Sequence, residues 1–368
     1  MALSTIRSSG FRNLIINGAM QVSQRGTSFS YAHDGTAAAY NLDRFKFTMR
    51  TYADEYDCTV AQVTDAPDGF SNSLKLTTGT AESAVGSDEY YVLFQGIEAQ
   101  NLQHLQHGTS NAKSITVSFY VKSSITGTFG FSIYKPDNTA QVIAKTYTIN
   151  SANTWEKKTI TIEGDTGQSI DNDNNGGMYV YWLIGAGTDF NSGASTTTWA
   201  NYGSGTTWFQ ASATNNVVTT AGATFQLTGV QVEVGDATDF EHRSFDDELD
   251  RCKRYYQKSF AYETAPANDI RGSREAEMPP SDSVSYAGAV VFLEKTMRAV
   301  PTCAAYNPQA APANSGAYVN DLVNGTVTTE YSVSSIYAVS SKIRFYLSVA
   351  PTLGGNPYGC NWTAQAEL

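Results

Sequence analysis

Charge is scarce in this chain, cysteines are few, and no long apolar run occurs. Charged residues make up 16% of the 368 residues, below the usual quarter. There is no basic run, and the net charge is −11, so nucleic-acid binding through phosphate contacts is not expected. The four cysteines, Cys58, Cys252, Cys303 and Cys360, never form a CxxC pair. That argues against a zinc site or a disulfide framework and for buried free thiols. No apolar stretch approaches the roughly 20 residues that span a bilayer, and residues 1–13 have no apolar core of signal-peptide length. The expectation is synthesis in a cytosol, with neither membrane insertion nor targeting by its own sequence. G-x-S-x-G, HExxH, P-loop and GxGxxG patterns are all missing, so no catalytic residue is assigned and the chain reads as a non-enzyme. Acidic residues are numerous enough for a glycosidase pair, but nothing marks one.

What fills the gap is Thr, Ser, Asn and Gly, together with 22 Tyr and 17 Phe. That mixture suits pleated, aromatic-faced strands joined by many turns. In residues 114–121, Ile115, Val117, Phe119 and Val121 share one face of a strand. Phe45, Phe47 and Met49 alternate with Lys46, Thr48 and Arg50 in the same way. Residues 13–29 read as two strands about an Asn17-Gly18 turn. Residues 96–107 read as a turn of helix with Leu102 and Leu105 inward. About ten strands up to Val234, at sandwich-like spacing and with no long helix, predict two antiparallel sheets in jelly-roll style.

Residues 225–260 organise the rest. Phe225, Leu227, Val230, Val232 and Val234 form a strand in which Gln231 and Glu233 are expected to face solvent. After the Gly235-Asp236 turn, Ser244 can cap a helix with Asp246, Asp247 and Glu248 in its first turn. Phe245, Leu249, Cys252 and Tyr256 then make one apolar stripe. The stripe is the candidate for packing two domains together, or for meeting other copies at a threefold axis; its shortness favours domain packing. The predicted fold is therefore all-β, two β-sandwiches joined by one short helix. The expected divisions are an arm at 1–12, a jelly-roll at 13–243, a linking helix at 244–260, and a smaller sandwich at 261–368.

Three further constellations are candidates. Asp171, Asp173 and Asn175, followed by Gly176, match the opening half of a calcium loop. Position 12 of that pattern is Trp182, not Glu, so a plain turn is the stronger reading and no cofactor other than Ca2+ is considered. Trp199, Tyr202 and Trp208, in a Gly/Ser/Thr-rich stretch, have the flat faces a pyranose ring stacks on; core or loop-staple aromatics are the plainer alternative. His104 and His107 share a helical spacing, but no third metal ligand is nearby in sequence.

The segments NLIINGAMQVSQRGTS (13–28), YNLDRF (40–45) and LTGVQVEVG..ATDFEHRSFDDELDRCKRYYQKS (227–259), with MRAVPT (297–302) and WTAQAEL (362–368), resemble tailed-phage tail-fibre and related virion-appendage proteins. The resemblance implies a sandwich similar to carbohydrate-binding modules, carried on a virion and often homotrimeric. The expected role is attachment to host surface glycan without catalysis, with the arm at 1–12 either an anchoring peptide that docks onto other virion proteins or a frayed terminus. The tail is favoured over the head. A capsid decoration protein is the alternative, and a polysaccharide depolymerase a more distant one.

Overall fold

The structure, a computed structural model, describes residues 12–32, 36–50, 56–190, 197–202, 217–268, 270, 276–278, 288–306, 333–347 and 358–368. The arm at 1–12, except Arg12, and Trp208 lie outside them. The chain is all-β apart from one short α-helix and one 3-10 turn among the described residues. It divides into two compact units. The first comprises residues 1–21, 30–39 and 45–244, and the second 22–29, 40–44 and 245–368.

In unit one, strands β1 (Ser28–Tyr31), β4 (Cys58–Val63), β5 (Ser73–Thr78), β13 (Thr224–Val234), β7 (Ile115–Ser123) and β10 (Glu156–Ile162) lie side by side in that order. The second sheet runs β12 (Ala200–Asn201), β9 (Gln141–Ile149), β8 (Gly127–Lys135), β11 (Gly176–Ala186), β6 (Tyr90–Glu98), β3 (Lys46–Arg50) and β2 (Thr36–Tyr40). From β5 to β8, and again from β9 to β13, the chain crosses repeatedly between the sheets, as a jelly roll requires. The alternating apolar positions meet in the middle. Phe119 of β7 stands 5.1 Å from Tyr147 of β9 and 5.7 Å from Trp182 of β11, and Phe129 of β8 lies 5.8 Å from Phe225 of β13. Burying each of these rings contributes about 2–3 kcal/mol.

The apolar phase of β13 switches between Leu227 and Val230 because a bulge there inserts a residue against β7. Gly229 occupies the bulge at φ +60°, a conformation that costs glycine little. The solvent-facing expectation for Gln231 and Glu233 fails, because both are buried. The segment after β13 folds back over them: Thr238 donates its backbone N–H and its hydroxyl to the two Glu233 oxygens, and Gln231 accepts from Glu241 N. Alternation identifies the face but not what covers it.

Residues 13–22 are not strands either. Asn17 and Met20 take positive φ, and side chains satisfy the backbone in place of a ladder. The Gln95 amide brackets Ile16, accepting from its N–H at 2.9 Å and donating to its carbonyl at 2.8 Å. Glu241 accepts from the backbone N–H groups of Arg12 and Asn13, while Arg243 donates to the carbonyls of Asn13 and Ile15. Gly18 is required there, since a Cβ would overlap the Val230 carbonyl.

Unit two has helix α1 (Phe245–Lys253) and two sheets. In one, β20 (Tyr358–Gln365) pairs with β14 (Tyr256–Lys258), β15 (Ala276–Met278) and β17 (Thr302–Tyr306). The other runs β16 (Gly288–Phe292), β19 (Lys342–Leu347) and β18 (Val333–Val339). Met297, Ile343, Phe345, Cys360 and Trp362 fill its core. The helix belongs to this unit by contacts, where a separate linker was expected. Its stripe is also shorter than the spacing predicts. Cys252 is fully buried and Leu249 half-buried, whereas Phe245 is exposed, edge-on to Tyr262. Tyr256 is buried but lies in β14, where pairing with Gln365 displaces further helix. All four cysteines are free, three of them buried.

Candidate functional site: an aromatic sheet face

The seven-stranded sheet has two apolar faces. Met178, Val180, Trp182 and Ile184 of β11 point into the sandwich, so Tyr179 and Tyr181 point out. Register then places Tyr134 of β8 and Gly96 of β6 on either side of Tyr179, and Ser132 and Phe94 on either side of Tyr181. Gly96 adds no side chain beside the Tyr179 ring. Tyr202 joins at the sheet edge, where its N–H donates to Ala140 O at 2.7 Å and Asn201 pairs with Gln141.

These rings form a run across the strands. Tyr202 to Tyr134 is 5.3 Å edge-on, Tyr134 to Tyr179 is 6.2 Å, and Tyr179 to Tyr181 is 6.3 Å and stacked. Phe94 closes the run 4.9 Å from Tyr181, with the Lys46 ammonium 5.6 Å over its ring. Tyr202, Tyr134 and Tyr179 are half-buried, which leaves part of each ring accessible, whereas Tyr181 and Phe94 are buried in a cluster with Val92, Leu183 and Phe190. Burial, with Asp137 adding to it, raises the Tyr134 pKa, so its hydroxyl is neutral at physiological pH and both donates and accepts. On the same face the hydroxyls of Ser132 and Thr48 are buried with no hydrogen-bond partner among the described residues. Flat rings beside neutral hydroxyls suit a ligand that alternates C–H faces with hydroxyl edges.

Of the two predicted ring residues that lie among the described ones, Tyr202 is on this face and Trp199 is not. Trp199 instead acts as a staple. Its indole N–H donates to Glu163 O at 2.8 Å, and its ring covers the Lys135 ammonium at 4.8 Å and meets His107 at 5.9 Å. Tyr134, Tyr179, Tyr181 and Phe94 were missed. The available signal was MYVYWLI (178–184), where both alternating sets are apolar or aromatic, so neither face could be a plain solvated one.

The Asp171–Asn175 loop caps the 3-10 turn Ala99–Leu105: Ala99 N and Gln100 N donate to the carbonyls of Asn175 and Asp173. Gln103 donates to Asp171 O at 2.7 Å, and both Asp173 carboxylate oxygens accept from Asn175. Among the described residues no three His, Cys, Asp or Glu side chains are grouped to hold a metal ion. Leu102 and Leu105 point inward as expected.

Among known proteins, no family pattern and no curated sequence matches this chain. Solved structures it is similar to include the enzymatically active domain of bacteriophage CBA120 tailspike protein 4, at 13% identity and TM-score 0.31, covering 61% of this chain and 21% of that one. A family 4 carbohydrate-binding module (12%, TM-score 0.28) covers 60% of this chain and 98% of its own. A Bacteroides thetaiotaomicron protein described as a putative sugar binding protein (11%, TM-score 0.32) covers 61% and 100%. At such identities and TM-scores the likeness bears on neither ligand nor activity.

Proposed function

We propose that this protein binds a glycan, without cleaving it, on the outer face of the seven-stranded sheet of unit one, and does so as an attachment protein of a phage particle. The observation that carries the binding is the run of half-buried rings from Tyr202 through Tyr134 to Tyr179, which rests on the buried rings of Tyr181 and Phe94. The phage setting rests on the sequence resemblance of the 13–28, 40–45 and 227–259 segments, with the tail favoured over the head. Each stacking contact is weak; a homotrimer would raise avidity by effective concentration.

A glycan array on the purified chain, followed by titration of the best ligand, tests the reading. Tyr179→Ala should weaken binding by on the order of tenfold, the loss of one good ring contact. Silence across host-envelope glycans, or unchanged affinity in Tyr179→Ala, would remove the proposed site. Release of reducing sugar would instead make the protein a depolymerase. Light scattering reads the trimer, and antibody labelling of particles reads tail against head.

A further inference from the structure

Unit one has a concavity that lies away from the aromatic run. It is a surface cavity of about 450 Å³, inside the range of small-ligand sites. Leu102 and Ile170, both buried, contribute apolar surface, and the sides carry Gln106, Thr109, Asn111 and Ser169. None of the Tyr202–Phe94 rings lines it.

The polar rim is already ordered. Thr109 Oγ1 donates to Gln106 O at 2.8 Å and accepts from Asn111 N at 3.1 Å, while Gln106 itself sits at φ +54°. On the opposite side Asn138 donates to Ser169 Oγ at 3.0 Å, leaving that hydroxyl its own proton to give. A buried imidazole completes the wall. Lys135 donates to His107 Nδ1 at 3.5 Å, so the ring proton belongs on Nε2, which faces Lys113 O at 3.3 Å. That tautomer is uncharged, and burial beside Lys135 agrees, holding the His107 pKa down at about 4. The Lys135 charge is itself matched by Asp165 at 2.5 Å. The lining therefore offers amides, hydroxyls and apolar surface but no ionised group.

We infer that this cavity is a second ligand site, for a single uncharged saccharide residue. Two side-chain amides can each donate to and accept from vicinal hydroxyls, and the accessible edge of Ile170, backed by the buried Leu102, forms the apolar floor under the C–H face. No carboxylate or ammonium is present to select a charged sugar. The inference is independent of the aromatic face.

Saturation-transfer NMR on the full chain tests it, with glucose, galactose and N-acetylglucosamine at about 10 mM, matching affinities in the millimolar range, and N-acetylneuraminate as the charged control. Transfer to at least one neutral sugar is expected in the wild type and in Tyr179→Ala, and in the Tyr179→Ala background it should fall at least about fivefold when Asn111→Ala is added. Ser169→Ala is the second variant, and thermal melts confirm that each variant folds. No transfer to any neutral sugar overturns the inference. So does transfer that, in the Tyr179→Ala background, survives both Asn111→Ala and Ser169→Ala, transfer that disappears in Tyr179→Ala alone, or a preference for N-acetylneuraminate.

Discussion

Each unit buries a charge system, and the two are built differently. In unit one a lysine, Lys135, is 1% exposed and is served by one carboxylate, Asp165, and the Gln168 carbonyl. Asp165 has its own support from the backbone N–H groups of Gly167 and Gln168. In unit two, two arginines and two acids form a neutral quartet: Arg44 pairs with Glu367, Arg25 with Glu367 at 3.0 Å, and Arg25 with Asp43 at 4.0 Å. Both guanidinium planes lie over rings, Arg44 over Tyr255 at 3.5 Å and Arg25 over Tyr256 at 3.8 Å. Gln24 completes the quartet by donating its backbone N–H and side-chain amide to Asp43.

The difference is one of reach. The lysine pair is local, with partners 30 and 33 residues from Lys135, and the ammonium selects the tautomer of the neighbouring His107 imidazole. The arginine quartet ties residues 24–25 and 43–44 to Glu367, which is how two early segments come to belong to the later unit. A planar fork that bonds sideways while stacking face-on can join several chain segments at once; an ammonium is a point charge and cannot.

The largest test of this contrast is Arg44→Ala. It leaves Glu367 buried with half its cationic support, and should cost about 3–5 kcal/mol, read as a lower denaturant midpoint for the unit-two transition. Lys135→Met should cost less, about 2 kcal/mol, because Asp165 keeps two backbone donors. If chemical denaturation finds Lys135→Met the more damaging, the ranking by reach is wrong.

His107 supplies a pH test. Burial, and secondarily Lys135, depresses its folded pKa to about 4, against about 6.5 when unfolded. Between those values the unfolded chain binds more protons, so stability is fully present above pH 6.5 and is lost as pH falls toward 4. His107→Asn should remove that slope, on the order of 2 kcal/mol across the window, in melts at stepped pH. The smallest effect belongs to Arg44→Lys, which keeps the charge while losing the fork and the stack. It should cost about 1–2 kcal/mol, and a cost equal to that of Arg44→Ala would mean that stacking outweighs charge.

Most strands were legible because alternation is local. The runs at Lys46–Arg50 and Ile115–Ser123 each declare a face within one strand. The aromatic face was not, because its rings come from β6, β8, β11 and the residue after β12, far apart in sequence and aligned only by register. The segment 13–22 misled for a related reason. Its apolar residues read as strands, yet Gln95, Glu241 and Arg243 satisfy its backbone from distant positions.

The stretch at 225–260 shows both sides of this division. Sequence alone determined the strand, the Gly235 turn, and a helix opening on three acids, since each depends on neighbours a few residues away. Only the tertiary structure decided that Gln231 and Glu233 are buried, that the helix joins unit two, and that residues 22–29 and 40–44 go with it. The physical reason is that periodicity orients a side chain relative to its own strand or helix. What lies opposite that side chain is set by burial and pairing between segments up to hundreds of residues apart.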